Sequence, residues 1–150
     1  MKLSANFSLN ELTKSDMAIR HDIENTPSMQ VIENLQDLVT NILQPLRDKF
    51  GPIVVTSGYR SQALNKAIGG STTSDHCLGY AADFEASIDN RELAIYIRDN
   101  MSFTQLISEF YDGRPDSGWV HCSYNSLDLK GQVLTASKVN GRTQYANGIS

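Results

Sequence analysis

A chain of 150 residues with a 40% hydrophobic fraction is long enough for one self-sufficient core, since folding at this size buries roughly 68–70% of the surface that the unfolded chain exposes. A net charge of −4 argues against a nucleic-acid partner, and no run reaches the ~18 apolar residues of a membrane span. Two cysteines, Cys77 and Cys122, with no C-x-x-C spacing exclude a disulfide scaffold and suit a reducing compartment, where both read as small buried apolar residues.

In chain order, MKLSANFSLNELTKSD lacks the apolar stretch of a secretory signal, so synthesis in the cytoplasm is expected. FSLNEL carries a capping box, Ser8 with Glu11, and a hydrophobic staple, Phe7 with Leu12. Thr26-Pro27 predicts a second helix start, followed by Val31, Ile32, Leu35, Leu38, Val39, Ile42, Leu43 and Leu46 at helical spacing, with a kink near Pro45. After Gly51-Pro52, IVVTS at 53–57 predicts a strand, SGYRS a turn, SQALNKAIGG a short helix closed by Gly69, and GGSTTSD a polar loop. YAADFE at 80–85 predicts a strand with Ala81, Asp83 and Glu85 on one face, and DNRELAIYIRDNM a helix with Leu93, Ala94 and Ile97 inward. Residues 104–110, 118–124 and 132–139 predict three more strands. The expected fold is α+β, a mostly antiparallel sheet with helices packed on one side, forming a single domain over 1–150.

The chemistry concentrates in SDHCLGYAADF and WVHCS, which hold two of the three histidines. Alternation in the strand at 118–124 puts Trp119, His121 and Ser123 on one face and Val120, Cys122 and Tyr124 on the other. Asp83 follows Ala81 and Ala82 inside a predicted strand, where a carboxylate taken out of water needs a counter-charge. His76, Asp83 and His121 together would satisfy a divalent cation and leave a fourth position open, the arrangement of catalytic zinc. Spacing alone does not separate such a site from structurally satisfied polar residues.

The ordered run SGYRS…LN..IGGS..SDHCLGYAADFE…QLISEF…WVHCSY resembles the zinc peptidases of the D-alanyl-D-alanine carboxypeptidase-like family, whose metal core is similar to that of lysostaphin-type peptidases and Hedgehog amino-terminal domains. The resemblance runs to about residue 139, and the FSL.EL start is similar to a branch common in bacteriophages and prophages. It implies that His76, Asp83 and His121 bind Zn²⁺ and that Arg60 grips a substrate carboxylate or polarises the scissile carbonyl. It further implies a peptidase of peptidoglycan stem peptides, cutting either the D-Ala–D-Ala link or the L-Ala–D-Glu link. The expected protein is a monomeric endolysin-like enzyme released to the wall by a holin, or a virion tail component.

In several relatives an acidic residue stands three positions before the last histidine, but here that residue is Gly118. Two other carboxylates compete for the general base: Glu109, ending QLISEF, and Asp116, in the PDSG turn. Glu109 is preferred because a neighbouring strand brings it to the same rim. Ser74 either hydrogen-bonds substrate or caps its loop, and Trp119 is a packed wall or a stacking platform for a sugar-peptide polymer. A non-catalytic zinc-containing module for wall or protein binding is the competing function.

Overall fold

A computed structural model describes residues 1–149 of the chain. The elements in order are helices α1 (Leu9–Thr13), α2 (Asp16–Arg20) and α3 (Met29–Leu38), a π-helical turn (Val39–Leu43) and α4 (Gln44–Phe50). Strand β1 (Ile53–Ser57), helix α5 (Gln62–Ala67), a 3₁₀ turn (Asp75–Leu78), strand β2 (Ala81–Ala86) and helix α6 (Asn90–Asn100) follow. Strands β3 (Gln105–Glu109), β4 (Trp119–Ser123), β5 (Gln132–Val139) and β6 (Arg142–Asn147) complete the chain. The six strands form one sheet in the order β1-β2-β4-β3-β5-β6. All neighbours are antiparallel except β3 and β5, which run parallel.

The core lies between one sheet face and the helices. Leu35, Leu38, Val39, Ile42, Leu43 and Leu46 lie on one stripe of the long helix and are fully buried with Leu93, Ala94 and Ile97 of α6. Each large aliphatic side chain buried this way contributes roughly 1.5–3 kcal/mol. From the sheet, Val55, Phe84, Leu106, Val120 and Cys122 join the same cluster. Alternation along the strands then turns Asp83, His121, Ile107 and Glu109 to the opposite, open face.

Several local expectations change on inspection. Helix α3 begins two residues after Pro27, because Ser28 serves as N-cap and accepts from Val31 N–H. Near Pro45 the helix widens into a π turn, in which Gln44 N–H donates to Val39 O. Proline has no N–H for the i−4 carbonyl and its ring crowds that position, so one wider turn accommodates it. Helix α2, capped by Ser15, and strand β6 were not anticipated. The β5–β6 connection is Asn140-Gly141, both at positive φ (52° and 78°), the geometry of a two-residue hairpin turn.

Candidate metal centre and cleft

The antiparallel register places Asp83 of β2 directly opposite His121 of β4, and His121 opposite Ile107 of β3. His76 reaches the same spot from the 3₁₀ turn, which Ser74 caps by accepting from His76 N–H at 3.3 Å. Asp83 Oδ1 lies 2.9 Å from His121 Nδ1 and 3.4 Å from His76 Nε2. One potential ligand atom from each of the three residues lies within 4.8 Å of the others. Ligands ~2.0–2.2 Å from a tetrahedral ion stand roughly 3.3–3.6 Å apart, so this grouping fits one zinc-sized cation with little movement.

The donor chemistry agrees. His76 Nδ1 donates to Gly58 O at 2.8 Å, which orients the ring and turns Nε2 toward Asp83. A bulge in β1 between Val55 and Ser57 carries the chain to Gly58, and Thr56 Oγ1 donates across it to Asp83 O. Gly58 packs against α1 so closely that a Cβ there would stand 2.2 Å from Leu12 O, while Tyr59 N–H donates to that same oxygen at 2.7 Å. The capped first helix therefore buttresses the carbonyl that orients a candidate ligand.

The electrostatics are those of a tightly coupled site. Burial pushes the Asp83 carboxyl up, but hydrogen bonds and charge from His121 and His76 outweigh it and hold Asp83 well below the usual carboxylate range. Burial opposes the His121 imidazolium, yet Asp83, with smaller help from Glu109 and Asp75, raises it above the ordinary value.

These three residues sit in a cleft of about 610 Å³ whose lining also includes Arg60, Ser74, Glu109 and Trp119. Glu109 is opposite Trp119 across the β3–β4 pair, two register positions along from the Ile107–His121 pair and on the same face. Burial first, and the negative charge of Asp83 second, push its carboxyl above the ordinary value against the lowering influence of His121, Trp119 and Arg60. The next residue, Phe110, ends the strand at φ 57° and packs its ring 5.3 Å from that of Trp119. Arg60 Nη2 donates to Ser74 Oγ at 3.4 Å, whereas its Nε is buried with no partner among the described residues. Ser74 thus caps its loop and touches the guanidinium at once.

Asp116 is exposed in the turn before β4 and does not line the cleft. Gly118 has φ 64°, and a Cβ there would stand 2.0 Å from Glu109 O. The position three residues before His121 thus has no room for an acidic side chain, and the nearby carboxylate comes from the paired strand. Asn90 fixes this turn by donating to Ser117 O and Gly118 O, each at 3.1 Å. Cys77 and Cys122 are buried free thiols, and burial drives the Cys122 thiol far up, which keeps it unreactive.

Lining residues that escaped the sequence reading include Asp75, Gln105, Ile107, Lys130 and Tyr145. Gln105 was accessible from its alternation with Ile107 and Glu109, and Tyr145 from the Asn140-Gly141 hairpin signal. Lys130 lies in a loop and carried no local signal.

An α+β sheet whose open face gathers two imidazoles and a carboxylate beneath a polar cleft defines a metallopeptidase-like class of site. Residues 5–123 match the family described as Peptidase M15, and the chain belongs to that family. A similar curated protein, the zinc D-Ala-D-Ala carboxypeptidase of Streptomyces albus G, is 34% identical over 76 residues. That segment is 49% of this chain and 30% of the relative, so the likeness spans less than a third of that protein. Among the described residues, no helix is long and apolar enough to cross a membrane.

Proposed function

We propose that this chain is a zinc peptidase that hydrolyses peptide bonds in peptidoglycan stem peptides. The observation that carries the reading is the meeting of His76, Asp83 and His121 at the floor of a cleft that Glu109 and Arg60 also line. Membership of the peptidase family and the likeness to a zinc D-Ala-D-Ala carboxypeptidase support the substrate class.

His76, Asp83 and His121 would hold Zn²⁺, which supplies a Lewis acid for the scissile carbonyl and water activated near neutral pH. Gly58 O keeps His76 in the tautomer that offers Nε2. Glu109 takes up the proton of the attacking water at its carboxylate and returns it to the leaving amine, a role suited to a carboxyl held above its usual value. Arg60, which lines the cleft, pairs two-pronged with the carboxylate next to the scissile bond. Trp119 walls the cleft beside Glu109 and restricts water.

Both bonds in view, D-Ala–D-Ala and L-Ala–D-Glu, carry a carboxylate on the residue after the cut, so Arg60 serves either. The capped FSLNEL start supports the lysin-type branch, with holin-dependent access to the wall and a monomeric single-domain chain as its corollaries. Mass spectrometry of purified peptidoglycan after digestion tests activity and names the bond together. New amino ends that appear with the zinc-loaded chain and vanish with Glu109→Gln are expected. Wall binding without any new ends, across several wall chemotypes, would instead mark a non-catalytic binding module.

A further inference from the structure

We infer that the β5–β6 hairpin adds a second, carboxylate-binding subsite to the cleft, with Lys130 as its cation and Tyr145 as its aromatic wall. The inference rests on the peptidase reading of the site and concerns the part of the substrate beyond the reacting bond. The hairpin lies outside residues 5–123, the segment that matches the family.

Its placement follows from register. Strand β5 joins β3 in parallel with Glu109 opposite Ala136, and Ala136 in turn is opposite Tyr145 of β6. At ~4.8 Å per strand, Tyr145 stands about 10 Å across the sheet from Glu109. Only a small buried residue, Ala136, lies between them, so the floor stays low and Tyr145, 58% exposed, rises at its far side. At the other end, Gln105 pairs with Gln132, and Lys130 enters the cleft just before that strand. Lys130 stands loosely against Asp128 at 3.8 Å, and both side chains are more than half exposed. Residues 124–150 carry Lys130, Lys138 and Arg142 against Asp128, although the whole chain nets −4. Of these cations, Lys130 lines the cleft.

Two cations on different walls ask for two anionic groups. Arg60 follows β1 and Lys130 precedes β5, which puts their backbones about four strand spacings, or roughly 19 Å, apart across the sheet. An extended dipeptide spans only ~7 Å and has one free carboxylate, so it cannot engage both. A stem-peptide segment that continues past the reacting bond, with a free carboxylate on each side, has the reach and charge. Tyr145 would pack against its aliphatic or sugar portion.

Binding isolates this subsite from turnover. Trp119, the one tryptophan, lines the cleft and reports occupancy by fluorescence. In the zinc-loaded full chain carrying Glu109→Gln, three ligands are titrated: a stem tetrapeptide with free carboxylates, the same peptide amidated only at the carboxylate remote from the reacting bond, and D-Ala-D-Ala. Lys130→Ala and Tyr145→Ala are each expected to weaken the tetrapeptide about tenfold, near the worth of one charged hydrogen bond or one stacked ring. Lys130→Arg should restore it, amidation should reproduce the Lys130→Ala loss, and the dipeptide should shift much less. Both side chains are exposed, and unchanged thermal midpoints would exclude misfolding. Equal tetrapeptide binding by parent and variants, equal losses for both ligand lengths, or no binding by the parent would each overturn the subsite. Wall digestion by the unmutated enzyme, scored separately, decides the peptidase reading whichever way the titrations fall.

Discussion

His76 Nδ1 donates to the carbonyl of Gly58 at 2.8 Å, and Gly58 is itself pressed against the backbone of Leu12. The first turn of the protein thus reaches a candidate zinc ligand through one glycine. Gly58→Ala would set a Cβ 2.2 Å from Leu12 O, where backbone rather than a flexible side chain must give way. The expected outcome is a zinc affinity lower by about 10–100-fold, the usual cost of disturbing a ligand's outer partner. Chelator competition measures it, and unchanged affinity would show that His76 is oriented without Gly58.

Glu109 and Asp116 separate cleanly by mutation. Glu109→Gln keeps shape and removes the base, so kcat should fall about 10²–10⁴-fold while zinc stoichiometry stays at one. Asp116→Asn, in an exposed turn outside the cleft, should leave kcat within about twofold, as for most surface changes away from a site. The reverse pattern would transfer the role to Asp116.

The pH profile follows from the same residue. A base must be ionised, so kcat/KM should rise with pH through the Glu109 pKa. Burial and Asp83 push that pKa up, placing the acid limb above the ordinary glutamate value. In Glu109→Gln the limb should disappear from whatever activity is left.

Metal-free protein should show its own stability window. His121 is raised in the folded state, so its contribution is complete below about pH 6.5 and is lost as pH rises through the folded value. Asp83 is lowered, so its contribution is present above about pH 3.9 and is lost as pH falls through the folded value. Thermal midpoints in chelator should therefore peak between about pH 4 and 6.5. Zinc should abolish the decline on the alkaline side, because a neutral imidazole is the ligand form. A metal-free midpoint that is flat from pH 6 to 9 would contradict the His121–Asp83 pairing.

Arg60→Lys keeps the charge and removes the planar fork. KM for a carboxylate-bearing peptide should rise about tenfold or more, the worth of a charged hydrogen bond, with a smaller change in kcat. Equal losses in kcat and kcat/KM would instead put Arg60 on the scissile carbonyl.

Much of this was legible in the sequence because short-range rules govern it. The Ser8–Glu11 box, the apolar stripe from Leu35 to Leu46 and the alternation around Asp83 and His121 are local patterns, and the structure shows each. Strand order is not local. That β4 lies between β2 and β3, and that β3 takes a parallel neighbour, depends on long-range packing that periodicity does not encode. For that reason Glu109 was reachable as a rim carboxylate, while Lys130, in a loop beyond the parallel neighbour, was not. Helix α2 was missed because five residues give too short a run for a periodic signal, although Ser15 is an ordinary cap.

The most direct measurement is a crystal structure of the zinc-soaked protein with anomalous data at the zinc edge. One peak is expected, within ~2.0–2.2 Å of a nitrogen from His76, an oxygen from Asp83 and a nitrogen from His121, with an open coordination position toward the cleft. A peak bound elsewhere, or full occupancy that leaves one of these side chains uncoordinated, would contradict the account.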